Sequence, residues 1–233
     1  MIRFLILLLS ISQFSSVHGI VGGELVGHTD PLSYHVVSWA YQKKSFCSGV
    51  IIGKRRILTA AHCVSGGLDE IAFGQDVNKA KFIPVVHARV HTYFTPSKMS
   101  MKLPNAMIND IAVLTLKENI PSPYKAVSIY NDLDDTGDIY LYGYGKTSVN
   151  GAMGLLHRKK VELIDYFVPS GEWVTSQAAC GGDSGGPLIY TNKKEVYLLG
   201  ITSRSDKRFE GQPCNGPSVQ TDLRHQRWWL NGN

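Results

Sequence analysis

The 233-residue chain has little of several features that mark other classes of protein. It has four cysteines, and none of them lies in the paired C-x-x-C spacing that would support a zinc site. Charged residues make up 18% against 43% hydrophobic residues, so the composition excludes a disordered chain. The net charge of +5 is modest and favours a solvated surface over a nucleic-acid-binding one. Long helical periodicity, internal repeats and low-complexity segments are also absent.

Long apolar runs are missing except at the N-terminus, where a basic start precedes residues 4–9. That run is too short to span a bilayer comfortably and is typical of a secretory signal peptide. Val17 and Gly19 fit the small-residue positions before a cleavage site, so residues 1–19 are predicted to be removed and Ile20 to become the first residue. Cleavage lowers the net charge to +4 because Arg3 is the only charged residue removed. We therefore expect a secreted protein, extracellular or periplasmic if bacterial, with no membrane span.

What the chain does contain is a series of short apolar runs separated by Gly, Pro, Asn and Asp. Residues 35–41, 111–116 and 187–190 are examples, and they are rich in β-branched and aromatic side chains. Turn residues recur about every ten positions, a pattern that predicts an all-β barrel or sandwich. The tail 221–230 is the best helix candidate, capped by Thr221 or Asp222. Its predicted docking face consists of Leu223, Trp228 and Leu230.

A glycine-rich heptapeptide, Gly181-Gly182-Asp183-Ser184-Gly185-Gly186-Pro187, is the strongest local signal. Because Gly, Asp, Ser and Pro are the usual turn formers, the segment on its own predicts a turn. The same residues also suit a loop that holds a serine nucleophile beside backbone N–H groups able to stabilise an oxyanion. A serine hydroxyl needs a neighbouring base to become a nucleophile, so the choice between these readings depends on the rest of the chain.

Three further motifs supply that context: Thr59-Ala60-Ala61-His62-Cys63, the segment 109–114, and Ile20-Val21-Gly22-Gly23. Together with the serine segment, and in this order, they resemble the trypsin/chymotrypsin-like serine proteases. The resemblance runs from Ile20 to about Trp229. It implies an all-β fold of two six-stranded antiparallel β-barrels with a short C-terminal helix. The proline-containing linker 118–124 then divides a first barrel, 20–120, from a second barrel with the helix, 121–233.

The resemblance implies a role for each motif residue. Ser184 is expected to be the nucleophile, His62 the general base and acid, and Asp110 the carboxylate that orients the histidine. The backbone N–H groups of Gly182 and Ser184 are expected to form the oxyanion hole. Asp110 precedes a strongly apolar strand, whereas a second acidic group is interpreted as a solvated turn; its members are Asp132, Asp134, Asp135 and Asp138.

Ile20 and Asp183 form a second expected pair. In the family, the freed amine of the N-terminal isoleucine pairs with the aspartate before the serine and shapes the oxyanion loop. Family members usually carry an activation peptide, but here the predicted signal cleavage itself exposes Ile20. We therefore expect an enzyme that is competent on export, without a separate zymogen step.

The four cysteines allow three disulfide pairings, and their spacing does not choose among them. Export favours disulfides over metal binding. The resemblance implies that Cys47 pairs with Cys63, bracing the histidine loop, and that Cys180 pairs with Cys214, bracing the serine loop.

The residues expected to form the specificity pocket are Ala178, Ala179, Ser203, Ser205 and Ser218. No acid lies six residues before Ser184, so trypsin-like specificity for Lys or Arg is not expected. Serines at 205 and 218 replace the glycines of large pockets, which favours small or medium uncharged P1 residues. The alternative is a hydroxyl-rich pocket for Gln or Glu, made by Thr202, Ser205, Ser218 and Gln220.

The leading interpretation is a secreted, monomeric serine endopeptidase that cuts protein or peptide substrates through an acyl-enzyme and needs no cofactor or metal. Protein inhibitors are a second expected class of partner, and nucleic acid is not expected. A catalytically silent binding protein on the protease fold is the alternative, since fold does not fix function. A third possibility is an active enzyme in which partner binding through its basic clusters at 54–56 and 158–160 matters more than peptide selectivity.

Overall fold

Antiparallel β-strands make up most of the regular structure in the computed structural model, which describes residues 20–66, 69–95, 108–130, 137–176, 179–192, 195–209 and 214–232. The predicted signal peptide 1–19, the pocket residue Ala178, and the acidic residues Asp132, Asp134 and Asp135 lie outside the described residues. The first strand, β1 (Glu24–Leu25), belongs to the second of two sheets. β1 thus belongs to the second sheet although it precedes every strand of the first sheet in the chain.

Six strands close into a barrel in the order β2-β3-β4-β7-β6-β5. They are β2 (Val36–Tyr41), β3 (Lys44–Gly53), β4 (Arg56–Thr59), β5 (Glu70–Phe73), β6 (Lys81–Val90) and β7 (Ala112–Leu116). Their inward side chains form one apolar core that includes the fully buried Trp39, Ile57 and Leu114. The barrel places His62 and Asp110 at the end of β4 and the start of β7, which pair directly through Thr59 and Ala112.

The remaining strands form a nine-stranded sheet in the order β1-β10-β9-β13-β14-β15-β12-β11, with β8 paired in parallel to β14. They are β8 (Ser128–Ile129), β9 (Asp138–Gly143), β10 (His157–Val161), β11 (Leu163–Phe167), β12 (Glu172–Thr175), β13 (Pro187–Thr191), β14 (Val196–Ser205) and β15 (Ser218–Asp222). The closed barrel, the second sheet and one short C-terminal helix confirm the predicted chymotrypsin-like fold class.

The C-terminal helix α1 (Arg227–Asn231) is shorter than predicted, and its start differs. Thr221 and Asp222 belong to β15, and a 3₁₀ turn at Arg224–Gln226 precedes the helix. Leu223 and Leu230 are buried as expected, but Trp228 is 60% exposed and its neighbour Trp229 is buried. A helix of one turn can bury few consecutive side chains on one side, so the choice between two adjacent tryptophans depends on the helix phase, which the sequence does not determine.

The N-terminal strand belongs to the second sheet, and the C-terminal helix contacts the barrel. Near the N-terminus, β1 pairs with β10. At the C-terminus, α1 packs on the barrel, where Arg56 Nη2 donates to Leu230 O at 2.8 Å and Arg89 Nη2 to Trp229 O at 3.1 Å. The division of the chain near residue 120 stays a prediction. Among the described residues, no helix is long and apolar enough to cross a lipid bilayer.

Candidate active site

His62 lies on a 3₁₀ turn, Ala61–Gly66, that follows β4 directly. The Cys47–Cys63 disulfide ties this turn to β3, and the second predicted disulfide, Cys180–Cys214, is also formed. The His62 side chain remains 27% exposed, so its ring is open to a substrate on one side. The side-chain ligand atoms of Cys47, His62 and Cys63 lie within 4.8 Å of one another, but the disulfide leaves no thiolate there to bind a metal.

Asp110 is fully buried and accepts three hydrogen bonds. His62 N donates to Oδ1 at 2.9 Å, His62 Nδ1 is 2.7 Å from Oδ2, and the Ser203 hydroxyl donates to Oδ2 at 2.6 Å. Because an ionised carboxylate only accepts, the proton between Nδ1 and Oδ2 belongs to the imidazole. The other ring nitrogen, Nε2, is then the one that can accept a proton. The structure thus brings His62 and Asp110 together through Nδ1, with Nε2 on the other side of the ring.

The serine loop between residues 179 and 187 lies against the histidine turn. The Cys63 sulfur is 3.8 Å from His62 Nε2 and 3.9 Å from the Ser184 carbonyl oxygen. The His62 ring nitrogen Nε2 and the Ser184 backbone carbonyl therefore both lie next to the Cys63 sulfur. Ser184 itself is half-buried, so part of the residue is accessible to solvent.

Hydrogen bonds fix every backbone carbonyl from Gly181 to Ser184. Gly181 O accepts from Lys146 N, and Asp183 O accepts from Gly186 N, at 2.8 and 2.9 Å. Gly182 O and Ser184 O both accept from Ser48, at 2.9 and 2.7 Å. In the part of the chain that the structure describes, the N–H groups of Gly182 and Ser184 have no acceptor. These are the two N–H groups that the sequence predicts as the oxyanion hole.

Asp183 is buried beneath this loop between two glycines and a cysteine. Its Oδ1 accepts from Gly145 N and its Oδ2 from Cys180 N, each at 2.8 Å. A Cβ on Gly143 or Gly145 would lie 2.1 or 2.5 Å from Asp183 Oδ1, so both positions require glycine. Burial raises the pKa of Asp183 to about 7, against the lowering effect of the two backbone donors.

Ile20, the other member of the predicted pair, is buried in the core of the second sheet with Leu141, Leu188 and Leu199. Lys159 Nζ donates to the next carbonyl, Val21 O, at 2.8 Å, which holds the N-terminal segment on β10. Among the described residues, no cation lies within 4 Å of the Asp183 carboxylate. The isoleucine is thus seated in the second sheet, and its pairing with Asp183 stays a prediction.

The three serines of the predicted specificity pocket lie on the neighbouring strands β14 and β15, and Ala179 lies in the serine loop. Ser205 on β14 pairs with Ser218 on β15, and Ser218 pairs with Thr175 on β12. Ser218 is fully buried, and its Oγ is 2.9 Å from both Thr175 Oγ1 and Gln220 Nε2, whereas Ser205 is exposed. Ala179 is buried. Ser203 is in this region, but its hydroxyl binds Asp110.

Arg204 lies between the two pocket serines of β14 and turns its guanidinium into the protein. It forms a two-point ion pair with Glu172 on β12, in which Nη2 donates to Oε2 at 3.0 Å. Glu172 is fully buried and also accepts from the Ser170 hydroxyl at 2.6 Å. Within the described residues, Arg204 Nε is buried without an acceptor. A charged pair therefore underlies the strand that carries Ser203 and Ser205.

Sequence reasoning missed several residues that shape the site. The Gly143-Tyr144-Gly145 segment, two glycines around an aromatic residue at a strand end, was a usable signal for a close approach. Ser48 had no such signal, because its partners in the serine loop are 134 residues away. The role of Ser203 as a donor to Asp110 was likewise hidden by a separation of 93 residues.

The barrel, the His62–Asp110 pair and the adjoining serine loop define the architecture of a chymotrypsin-like serine protease. A comparison with protein families agrees: the family model described as Trypsin matches residues 20–230. The chain belongs to the trypsin family of serine proteases.

Individual relatives are distant but cover most of the chain. Human (Homo sapiens) kallikrein-2 is 26% identical over 246 aligned residues, covering 91% of this chain and 88% of its own. Trypsin eta of Drosophila melanogaster is 27% identical, covering 89% and 87%. Chymotrypsin-like elastase family member 1 of Macaca fascicularis is 24% identical, covering 79% and 77%.

Proposed function

We propose that the protein is a secreted serine endopeptidase in which His62, Asp110 and Ser184 form the catalytic triad. The observation that carries this proposal is the His62–Asp110 contact, which leaves Nε2 as the proton acceptor. The Ser184 carbonyl oxygen and His62 Nε2 both lie within 4 Å of the Cys63 sulfur, so the serine loop adjoins that face of the histidine. Family membership supports the same reading.

The proposed reaction proceeds in two halves. His62 Nε2 takes the Ser184 Oγ proton as Oγ bonds to the scissile carbonyl carbon, and the carbonyl oxygen becomes an oxyanion. The Gly182 and Ser184 N–H groups donate to that oxygen. The imidazolium, stabilised by Asp110, then passes its proton to the leaving amine, and the C–N bond breaks to give an acyl-enzyme. In the second half, His62 Nε2 takes a proton from water as the water oxygen bonds to the acyl carbon. The imidazolium then returns a proton to Ser184 Oγ as the C–Oγ bond breaks and the acid is released.

Intact mass spectrometry with a fluorophosphonate probe tests this proposal. The wild type should gain one adduct, with loss of the fluoride, and the Ser184→Ala variant should gain none. A wild type that has both disulfides, starts at Ile20 and takes no adduct would favour the catalytically silent binding protein instead.

The unlabelled mass of the secreted protein tests the proposed N-terminus. A chain that begins at Ile20 and is active supports cleavage without a separate zymogen step, with the new ammonium paired to Asp183. A start several residues before Ile20, together with no activity, contradicts that part of the proposal.

We further propose a preference for small or medium uncharged P1 residues. Ser205 and Ser218 occupy facing positions on β14 and β15, and the hydroxyls around Ser218 are already bonded to one another. Removing the exposed side chain with Ser205→Gly should raise kcat/KM for a phenylalanine P1 relative to an alanine P1 by about tenfold. Peptide-library profiling of both proteins measures this ratio, and an unchanged ratio or a dominant lysine or arginine preference contradicts the assignment.

A further inference from the structure

Ser48 is the residue through which the barrel holds the serine loop. It follows Cys47 on β3 and is fully buried. Its backbone N–H donates to Ser184 O at 2.7 Å, and its hydroxyl donates to Gly182 O at 2.9 Å. One residue of the first barrel therefore binds two alternate carbonyls of the loop.

Each of these two peptide groups is fixed at both ends. A peptide is planar, so its C=O and the next N–H point in opposite directions. Gly182 O binds Ser48 while the N–H of the same peptide, on Asp183, donates to Cys180 O at 3.0 Å. Ser184 O binds Ser48 while the Gly185 N–H donates to Thr202 O at 2.8 Å. Neither peptide can rotate without breaking two hydrogen bonds.

The Gly182 and Ser184 N–H groups belong to the peptides on either side of the fixed Gly182–Asp183 peptide. Holding ψ of Gly182 and φ of Asp183 fixes how the two flanking peptides are oriented relative to each other, because a change in either angle that the other does not compensate would turn one N–H group relative to the other. We propose that Ser48 is a positioning residue that fixes the oxyanion-hole N–H groups through its two bonds to the loop. This inference rests on the proposed function, because it assigns a purpose to the same loop.

The hydroxyl of Ser48 both donates and accepts a hydrogen bond. Besides donating to Gly182 O, it accepts from Tyr144 N at 2.9 Å, so it joins β3, the segment after β9 and the serine loop. An alanine at this position would leave a buried N–H and a buried C=O unsatisfied. The backbone of Ser48 is itself held, since the Thr59 hydroxyl donates to Ser48 O at 2.8 Å.

The loop is shaped to approach this residue closely. Gly185 has a φ of +81°, and a Cβ there would lie 2.3 Å from Ser48 O and 2.1 Å from Thr59 Oγ1. Only glycine fits such a contact, so the loop sequence and Ser48 are complementary.

Ser48→Ala tests the proposal, with Ser45→Ala as the matched control. Ser45 is a buried serine on the same strand, and its hydroxyl accepts from Ser38 within the barrel at 2.8 Å. We expect Ser48→Ala to lower kcat about 10- to 100-fold with little change in KM, and Ser45→Ala to keep wild-type turnover.

Two inhibitors separate oxyanion stabilisation from general damage. A peptide aldehyde ending in alanine forms a hemiacetal with Ser184 and develops charge on its carbonyl oxygen, whereas the matching peptide alcohol forms no such bond. Ser48→Ala should weaken aldehyde binding by about tenfold or more and leave alcohol binding within about twofold. Equal losses for both inhibitors, or none for either, would overturn the proposal.

Hydrogen exchange tests the same clamp without relying on activity. In Ser48→Ala the amides of residues 179–186 should exchange faster than in Ser45→Ala, because the Gly182–Asp183 peptide loses the Ser48 hydroxyl while only the backbone bond to Ser184 O remains. Unchanged protection overturns the clamp. If the variant exchanges faster but the wild type never reacts with the fluorophosphonate, the hydrogen-bond clamp is supported and the proposed function is overturned. The catalytic purpose assigned to Ser48 then falls with that function.

Discussion

Replacing Glu172 by glutamine should cost far more stability than its position outside the triad suggests. The carboxylate is fully buried, and the Arg204 side chain that it binds at two points is 10% exposed. Glu172→Gln keeps the volume but leaves the arginine charge buried without a counter-charge. Breaking a buried pair in this way costs about 3–5 kcal/mol. For a domain of this size, that corresponds to a fall in Tm of about 6–20 °C.

The measurement is urea and thermal unfolding in a Ser184→Ala background, which prevents self-digestion. An exposed ion pair supplies the control: Lys160 Nζ lies 2.7 Å from Asp138 Oδ1, but both side chains are about half exposed or more. Asp138→Asn should leave the unfolding midpoint almost unchanged, because water screens and replaces such contacts. Both are close ion pairs, but the Arg204–Glu172 pair is buried and two-point, whereas the Lys160–Asp138 pair is exposed and has one contact.

A double variant separates the burial of charge from the loss of a contact. Glu172→Leu with Arg204→Met removes both charges and also the Arg204 Nε donor, which has no acceptor among the described residues. The Ser170 hydroxyl loses its closer acceptor and keeps Phe167 O at 3.4 Å. We expect the double variant to lie within about 2 kcal/mol of the parent. If Glu172→Gln is no worse than Asp138→Asn, or if the double variant is as unstable as the single one, the reasoning is wrong.

Three other predictions concern the serine loop and its supports. Gly145→Ala should abolish peptide hydrolysis, because its Cβ would lie 2.5 Å from Asp183 Oδ1, whereas Gly53→Ala, whose nearest contact is 3.5 Å, should stay active. Ser203→Ala removes a donor to Asp110 and should lower kcat about tenfold with KM unchanged. In chains that retain residues 1–19, urea titrations should show stability falling as pH rises from about 4 to 7. Native Asp183 holds its proton up to a pKa of about 7, whereas an unfolded aspartate loses it near 3.9, and Asp183→Asn should remove this slope.

The parts of the fold that the sequence predicts are those with local signals. Apolar runs such as 111–116 and 187–190 become β7 and β13, which are buried along almost their whole length, because a short continuous apolar run bounded by turn residues is a local strand signal. The disulfide pairing followed from the family resemblance, and the structure confirms Cys47–Cys63 and Cys180–Cys214.

The parts that the sequence does not predict depend on contacts between distant residues. Nothing near Ser48 indicates that its hydroxyl reaches Gly182, and nothing near Arg204 indicates a carboxylate 32 positions earlier. A single serine or arginine is compatible with many surroundings, so only the packing of strands from different parts of the chain decides its partner.

Two different supports hold the serine loop, and they differ in what they require. Ser48 and Thr202 bind the loop through uncharged hydrogen bonds that are complete in the described chain without any free N-terminus. Asp183, on the other side of the loop, has two backbone donors and a pKa near 7, so its charge is only partly stabilised. An ammonium freed at Ile20 would supply the missing positive charge and lower that pKa. Cleavage before Ile20 would therefore act on the ionisation of Asp183, while the barrel fixes the position of the loop independently.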